Sequence, residues 1–241
     1  MQRLDRFLSE AGVASRRELR EIVHAGRVMV NGVVVRQPEQ RINEVLDTIC
    51  FDGRRIGAKK RTVLLLNKPM GYVTSTDDPR DRTVMELLAP QYRALFPVGR
   101  LDKETEGLLL FTDDGELAHR LISPKSSIEK TYYAEHEGTA DAGDVAAFAE
   151  GLTLRDGTRC LPAVLEPLGE GKSLVRVREG KYHQVRRMLA SRQMPVCFLR
   201  RIAEGGLTLD GLPLGKYREV TEEEISGICT VKFDEEREAK K

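Results

Sequence analysis

The stretch Gly99-Arg100-Leu101-Asp102-Lys103-Glu104-Thr105-Glu106-Gly107-Leu108-Leu109-Leu110-Phe111-Thr112-Asp113-Asp114-Gly115 places a carboxylate among polar residues just before a strongly apolar run. That run reads as a buried strand, and the preceding Pro97-Val98-Gly99 reads as a loop. A residue on a loop held by a rigid strand is well placed for chemistry. On spacing alone, Asp102 can equally be a turn-forming Asp beside a glycine. Asp113-Asp114-Gly115 lacks the loop pattern of an EF-hand and reads as the N-cap of a helix over 115–122.

Upstream, Leu4, Phe7, Leu8 and Ala11 fall on one face of a helix that Gly12 ends. Ser15 with Glu18 has capping-box spacing and opens a second helix, which buries Leu19, Ile22 and Val23 and stops at Gly26. Val28-Met29-Val30-Asn31-Gly32-Val33-Val34-Val35 reads as a hairpin on an Asn-Gly turn. Arg16, Arg17 and Arg20, in the first turns of helix two, are not needed for folding and suit phosphate. Residues 53–61 are basic, contain glycine and lack periodicity, so they read as a linker. Beyond them, strands are expected at 62–67, 107–112, 131–136, 173–178 and 196–202, and helices at 83–89, 115–122, 141–150 and 182–191. Strands and helices do not alternate regularly and no GxGxxG follows a strand, which argues against a Rossmann unit and favours an α+β fold. The chain divides as 1–57, a linker at 58–62, a larger domain at 63–232 and a charged tail at 233–241.

The 241 residues are 40% apolar and 32% charged, with a net charge of +1. The charge is unevenly spread. Residues 1–60 carry 12 Lys and Arg against 8 acids, and residues 172–201 hold nine basic side chains against Glu179 alone. Two basic zones suggest a polyanion held at two places. No apolar run is long enough for a membrane span, and no secretory signal is evident. Cys50, Cys160, Cys197 and Cys229 are scattered, which argues against a zinc ribbon or a disulfide scaffold and fits a reducing cytoplasm. The four histidines share no metal-ligand spacing, and no phosphate loop is present, so neither metal nor cofactor is expected.

Arg3-Leu4-Asp5, Leu8, Gly12, Ser15-Arg16 and Gly26-Arg27-Val28, with Val30-Asn31-Gly32, resemble the S4 RNA-binding domain. Gly99-Arg100-Leu101-Asp102 before an apolar strand resembles the catalytic loop of pseudouridine synthases. Three further stretches lie in the family's order: Leu66-Asn67-Lys68-Pro69 with Gly71-Tyr72-Val73, then Lys130-Thr131-Tyr132, then Glu179-Gly180-Lys181-Tyr182-His183-Gln184-Val185-Arg186-Arg187-Met188. An S4 domain ahead of this loop is similar to the RsuA-like branch, which modifies ribosomal RNA. Thr74-Ser75-Thr76-Asp77-Asp78-Pro79 and Tyr182-His183-Gln184 resemble its small-subunit type, implying 16S rRNA and a target of the uridine-516 kind. The resemblance implies a mixed, mainly antiparallel sheet with flanking helices.

It also implies roles. Asp102 is the essential group, acting as nucleophile or as base, two routes left open here. It must be charged in a partly desolvated pocket, so a cation should sit beside it; the family position for that cation is Arg186. Tyr132 would stack on the uracil, and Tyr133 should face the other side of the strand. Arg100 would enter the RNA helix as the base leaves. Arg187 and His183 are expected at the RNA. Lys68 and Lys130 are read either as phosphate contacts or as structural partners of a carboxylate. The competing readings are a large-subunit enzyme of the same branch and a catalytically silent rRNA-binding or assembly factor. Ribosomal RNA or a partly assembled subunit is the expected partner, and a monomer the default.

Overall fold

The computed structural model describes residues 1–44, 46–57, 61–123 and 126–228, and the chain divides into two compact units at the Arg61–Thr62 bond. The first unit opens with β1 (Gln2–Arg3), α1 (Leu4–Glu10) and α2 (Arg16–His24). It continues through β2 (Val28–Val30), β3 (Val33–Val35), β4 (Arg41–Ile42), β5 (Ile49–Phe51) and β6 (Arg54–Ile56). The Ser15–Glu18 capping box forms, with the Glu18 carboxylate accepting from Ser15 N at 2.9 Å. Leu4, Leu8, Leu19 and Val23 pack against Val28, Val35 and Ile49 in one core. Arg54–Ile56 pairs antiparallel with β5, so the first part of the expected linker is a strand of this unit. The rest of that linker, 58–60, and the tail at 233–241 lie outside the described residues.

The second unit contains β7 (Val63–Lys68), β8 (Phe96–Val98), β9 (Glu106–Thr112), α3 (Gly115–Ile122), β10 (Lys130–His136) and α4 (Ala142–Glu150). After these come β11 (Val164–Gly169), β12 (Lys172–Val177), α5 (Gln184–Ser191), β13 (Val196–Glu204), β14 (Leu207–Thr208), β15 (Tyr217–Glu219) and α6 (Glu222–Ile228). The sheet runs β11-β12-β10-β13-β9-β7-β15, with β8 on β9 and β14 on β13. Its pairs are antiparallel except β9–β13, which is parallel. β7 is buried along its whole length because both faces are covered. Leu65, Leu108 and Leu110 pack under α3 and α6, while Leu64, Leu66, Leu109 and Phe111 pack with Val84, Leu95 and Leu101 on the other side. The alternation follows from strand geometry.

Two expected helices differ. The segment at 83–89 holds only a single 3-10 turn, Val84–Leu87, and the chain is extended at Leu88 and at Ala89, which precedes Pro90. A proline disfavours helical backbone in the residue before it. The helix expected at 182–191 starts at Gln184, because His183 is left-handed (φ 46°, ψ 36°) and breaks the helical path.

Candidate functional site

Asp102 lies on the Gly99–Thr105 loop between β8 and β9. The expected loop at Pro97-Val98 is instead the end of a short strand, so the true loop begins at Gly99. Its backbone is gripped at successive carbonyls. Thr74 Oγ1 donates to Leu101 O at 2.6 Å and accepts from Leu101 N at 3.1 Å. Lys68 Nζ donates to Asp102 O at 3.1 Å, Thr105 O at 2.9 Å and Pro69 O at 3.0 Å. Gly71 N donates to Lys103 O at 2.9 Å, and Arg186 Nη2 donates to Glu104 O at 2.8 Å. The loop is thus fixed through its main chain, while the Leu101 side chain enters the core.

Lys68 is completely buried, which rules out the phosphate contact and assigns it to the loop. Burial pulls its pKa down to about 8, against the raising influence of Asp102, Glu104 and Glu106. The ammonium supplies charge and donors to a ring of carbonyls, as charge-assisted bonds do.

The family position for the cation beside Asp102, Arg186, does not meet it here. Its guanidinium is taken by the carbonyls of Glu104 and Val196. The group facing the carboxylate is His183, whose Nε2 lies 3.4 Å from Asp102 Oδ1. The left-handed turn at His183 directs the ring there, and Tyr182 stacks on it with centroids 3.9 Å apart.

A cavity of about 700 Å³ opens at this loop and is lined by Arg100, Asp102, Lys130, Tyr132, Tyr182 and His183, among others. Tyr132 projects from β10 beside Arg201, and burial raises its pKa, so the phenol is neutral. Tyr133, one residue on, packs its ring on Phe198 instead. Lys130 pairs with Glu204 at 3.6 Å. Arg100 is exposed at the rim.

The remaining arginines divide. Arg16, Arg17 and Arg20 are exposed on α2 in the first unit. Arg187 is engaged by Asp156 at 2.5 Å and by Tyr182 O at 3.3 Å, so its expected phosphate role competes with an internal pair. The basic zone at 172–201 is similarly less available than its count suggests. Arg176 pairs with Glu166, Arg192 with Asp144, and Arg201 is buried. Sequence reasoning quoted Thr74 within a motif without its role as a clamp, and missed Arg201 and Glu204. The last two are charged residues three apart on an otherwise mixed strand, a signal that was present.

Among the described residues no group of His, Cys, Asp and Glu could hold a metal, and no helix is long and apolar enough to cross a membrane. The profile described as RNA pseudouridylate synthase matches residues 62–191, and that of the S4 domain matches 2–45. The ribosomal small subunit pseudouridine synthase A of Escherichia coli is 39% identical, covering 94% of this chain and 99% of that protein. An uncharacterized RNA pseudouridine synthase of Bacillus subtilis is 36% identical over 92% of this chain and 96% of its own. A solved pseudouridylate synthase superposes with a TM-score of 0.67 at 34% identity, covering 95% of this chain and all of that one. With the loop, the cavity and the two-unit order all accounted for, the chain belongs to the RNA pseudouridylate synthase family and carries an S4 domain ahead of its catalytic domain.

Proposed function

We propose that this protein isomerises one uridine of 16S ribosomal RNA, with Asp102 as the essential group. The observation that carries the reading is Asp102 itself, held by a clamped backbone at the mouth of a cavity that also holds Tyr132. The substrate class rests on the likeness to the E. coli enzyme, whose name places it at the small ribosomal subunit. In the reaction the N1–C1′ bond of uridine breaks, the uracil turns, and C5 bonds to C1′; the C5 proton leaves to solvent and N1 takes one up. Nothing is oxidised and no outside group is added, so no cofactor is called for. Asp102 serves either as nucleophile or as base. Tyr132 stacks on the uracil, a contact typically worth about 1–3 kcal/mol. Extruding the base costs a few kcal/mol, and Arg100 at the rim is placed to fill the gap it leaves. His183 is the side chain that faces the Asp102 carboxylate. Arg16, Arg17 and Arg20 hold phosphates through the S4 unit, and the protein acts as a monomer.

Pseudouridine mapping of 16S and 23S rRNA in a deletion strain tests this. One 16S site should vanish and return with the wild-type gene but not with Asp102→Asn. A lost 23S site would keep the chemistry and overturn the subunit; an unchanged map would point to a silent binding factor.

A further inference from the structure

β13 ends in two buried charges, Arg201 and Glu204, only 2% and 3% exposed. Both line the same cavity as Asp102, together with Lys130 across the strand pair. Arg201 Nε is used by Leu108 O at 2.7 Å. Its Nη2 faces Glu204 Oε2 at 3.4 Å without forming a hydrogen bond, and among the described residues neither atom has another hydrogen-bond partner. Buried polar atoms left unmade are costly, so such a pair calls for a ligand. Lys130 Nζ lies 3.6 Å from Glu204 Oε1 and also donates to Ile128 O. The carboxylate therefore sits between two cations, giving the order donor, acceptor, donor.

We propose that Lys130, Glu204 and Arg201 read the O2, N3–H, O4 edge of the target uracil, with Glu204 accepting from N3–H. This rests on the pseudouridine synthase reading above and adds the base-selecting residues to it. Uracil presents acceptor, donor, acceptor along that edge, which complements this row. Cytosine presents an acceptor at N3 and a donor at its amino group, so it meets the row with like groups. A site built to hydrogen-bond a substrate group rejects analogues that lack it, because its own buried atoms are then stranded. Glu204 is thereby a specificity residue, and Lys130 does more than balance a charge.

The test uses the full chain and an rRNA transcript carrying the mapped site, with uridine, N3-methyluridine or cytidine at the target. Tritium release from the 5-position reports turnover, and the cytidine transcript is measured as an inhibitor. Wild type should turn over N3-methyluridine at least about tenfold more slowly than uridine. Glu204→Gln, checked for folding by thermal unfolding, should lose turnover and let the cytidine transcript compete at least about tenfold better relative to the uridine transcript. Turnover of N3-methyluridine at the uridine rate overturns the inference, and this arm does not depend on any variant folding. So does a folded Glu204→Gln that keeps full turnover and full rejection of cytidine. If wild type releases no tritium from any rRNA transcript, the parent reading fails, and the inference with it.

Discussion

At the scale of single residues, the Asp102 carboxylate owes its position to a completely buried side chain, that of Lys68. Lys68 holds the loop through the carbonyls of Asp102, Lys103 and Thr105, and its depressed pKa couples that hold to pH. The sign differs for activity and for stability. The folded pKa, about 8, lies below the ordinary lysine value of 10.5. The folded chain therefore binds this proton more weakly than the unfolded chain does. Lys68's contribution to stability is least below pH 8 and rises between there and the ordinary value. Activity moves the other way, because the neutral amine loses its charge and one donor. Turnover in wild type should decline above about pH 8 while thermal stability does not fall through this group. Lys68→Met should cut turnover by tenfold or more at pH 7 and abolish that limb of the profile. A variant with an unchanged profile would remove Lys68 from the account.

At the scale of elements, the parallel contact of β9 with β13 aligns the loop with the buried charges. Gly107 makes it possible, with φ at 107°. A Cβ there would lie 2.8 Å from Arg201 N and closer still to its carbonyl oxygen. Gly107→Ala should force the strands apart and destabilise the second unit by about 2–4 kcal/mol, with activity lost; denaturant unfolding reads this directly. The strands and helices with strong patterns were legible beforehand: the Leu108–Phe111 run, the Ser15–Glu18 cap and the Asn31-Gly32 hairpin each carry their own local signal. What escaped reading depended on partners distant in sequence. The strand at Arg54–Ile56 looks like a basic linker because only its pairing with β5 makes it a strand. β11 and β15 likewise take their form from neighbours in the sheet. Within the site, Asp102 and Tyr132 stood out through their motifs. The resemblance pairs Arg186 with the carboxylate, and here it reaches the Glu104 carbonyl instead, since a motif position does not show how a guanidinium is aimed.

At the scale of the whole molecule, net charge says little about where a polyanion would be held. Much of the basic zone at 172–201 is spent on internal pairs, whereas Arg16, Arg17 and Arg20 remain exposed. Replacing those three with Ala should weaken rRNA binding and lower the slope of log affinity against log salt by about 2–3. Turnover at saturating RNA should persist. Titrations across a salt series measure the slope, and an unchanged value would move the phosphate contacts elsewhere.

The grip on the Gly99–Thr105 loop falls on carbonyl oxygens, which every amino acid supplies alike. The side chain of Lys103 adds only an exposed pair with Asp81 that is worth little, and that of Glu104 adds only a negative charge that helps Lys68 keep its proton. The loop's spelling is therefore free to drift at those positions during evolution, while Lys68, Thr74 and Arg186, written far away in the chain, bear the heritable memory of its shape.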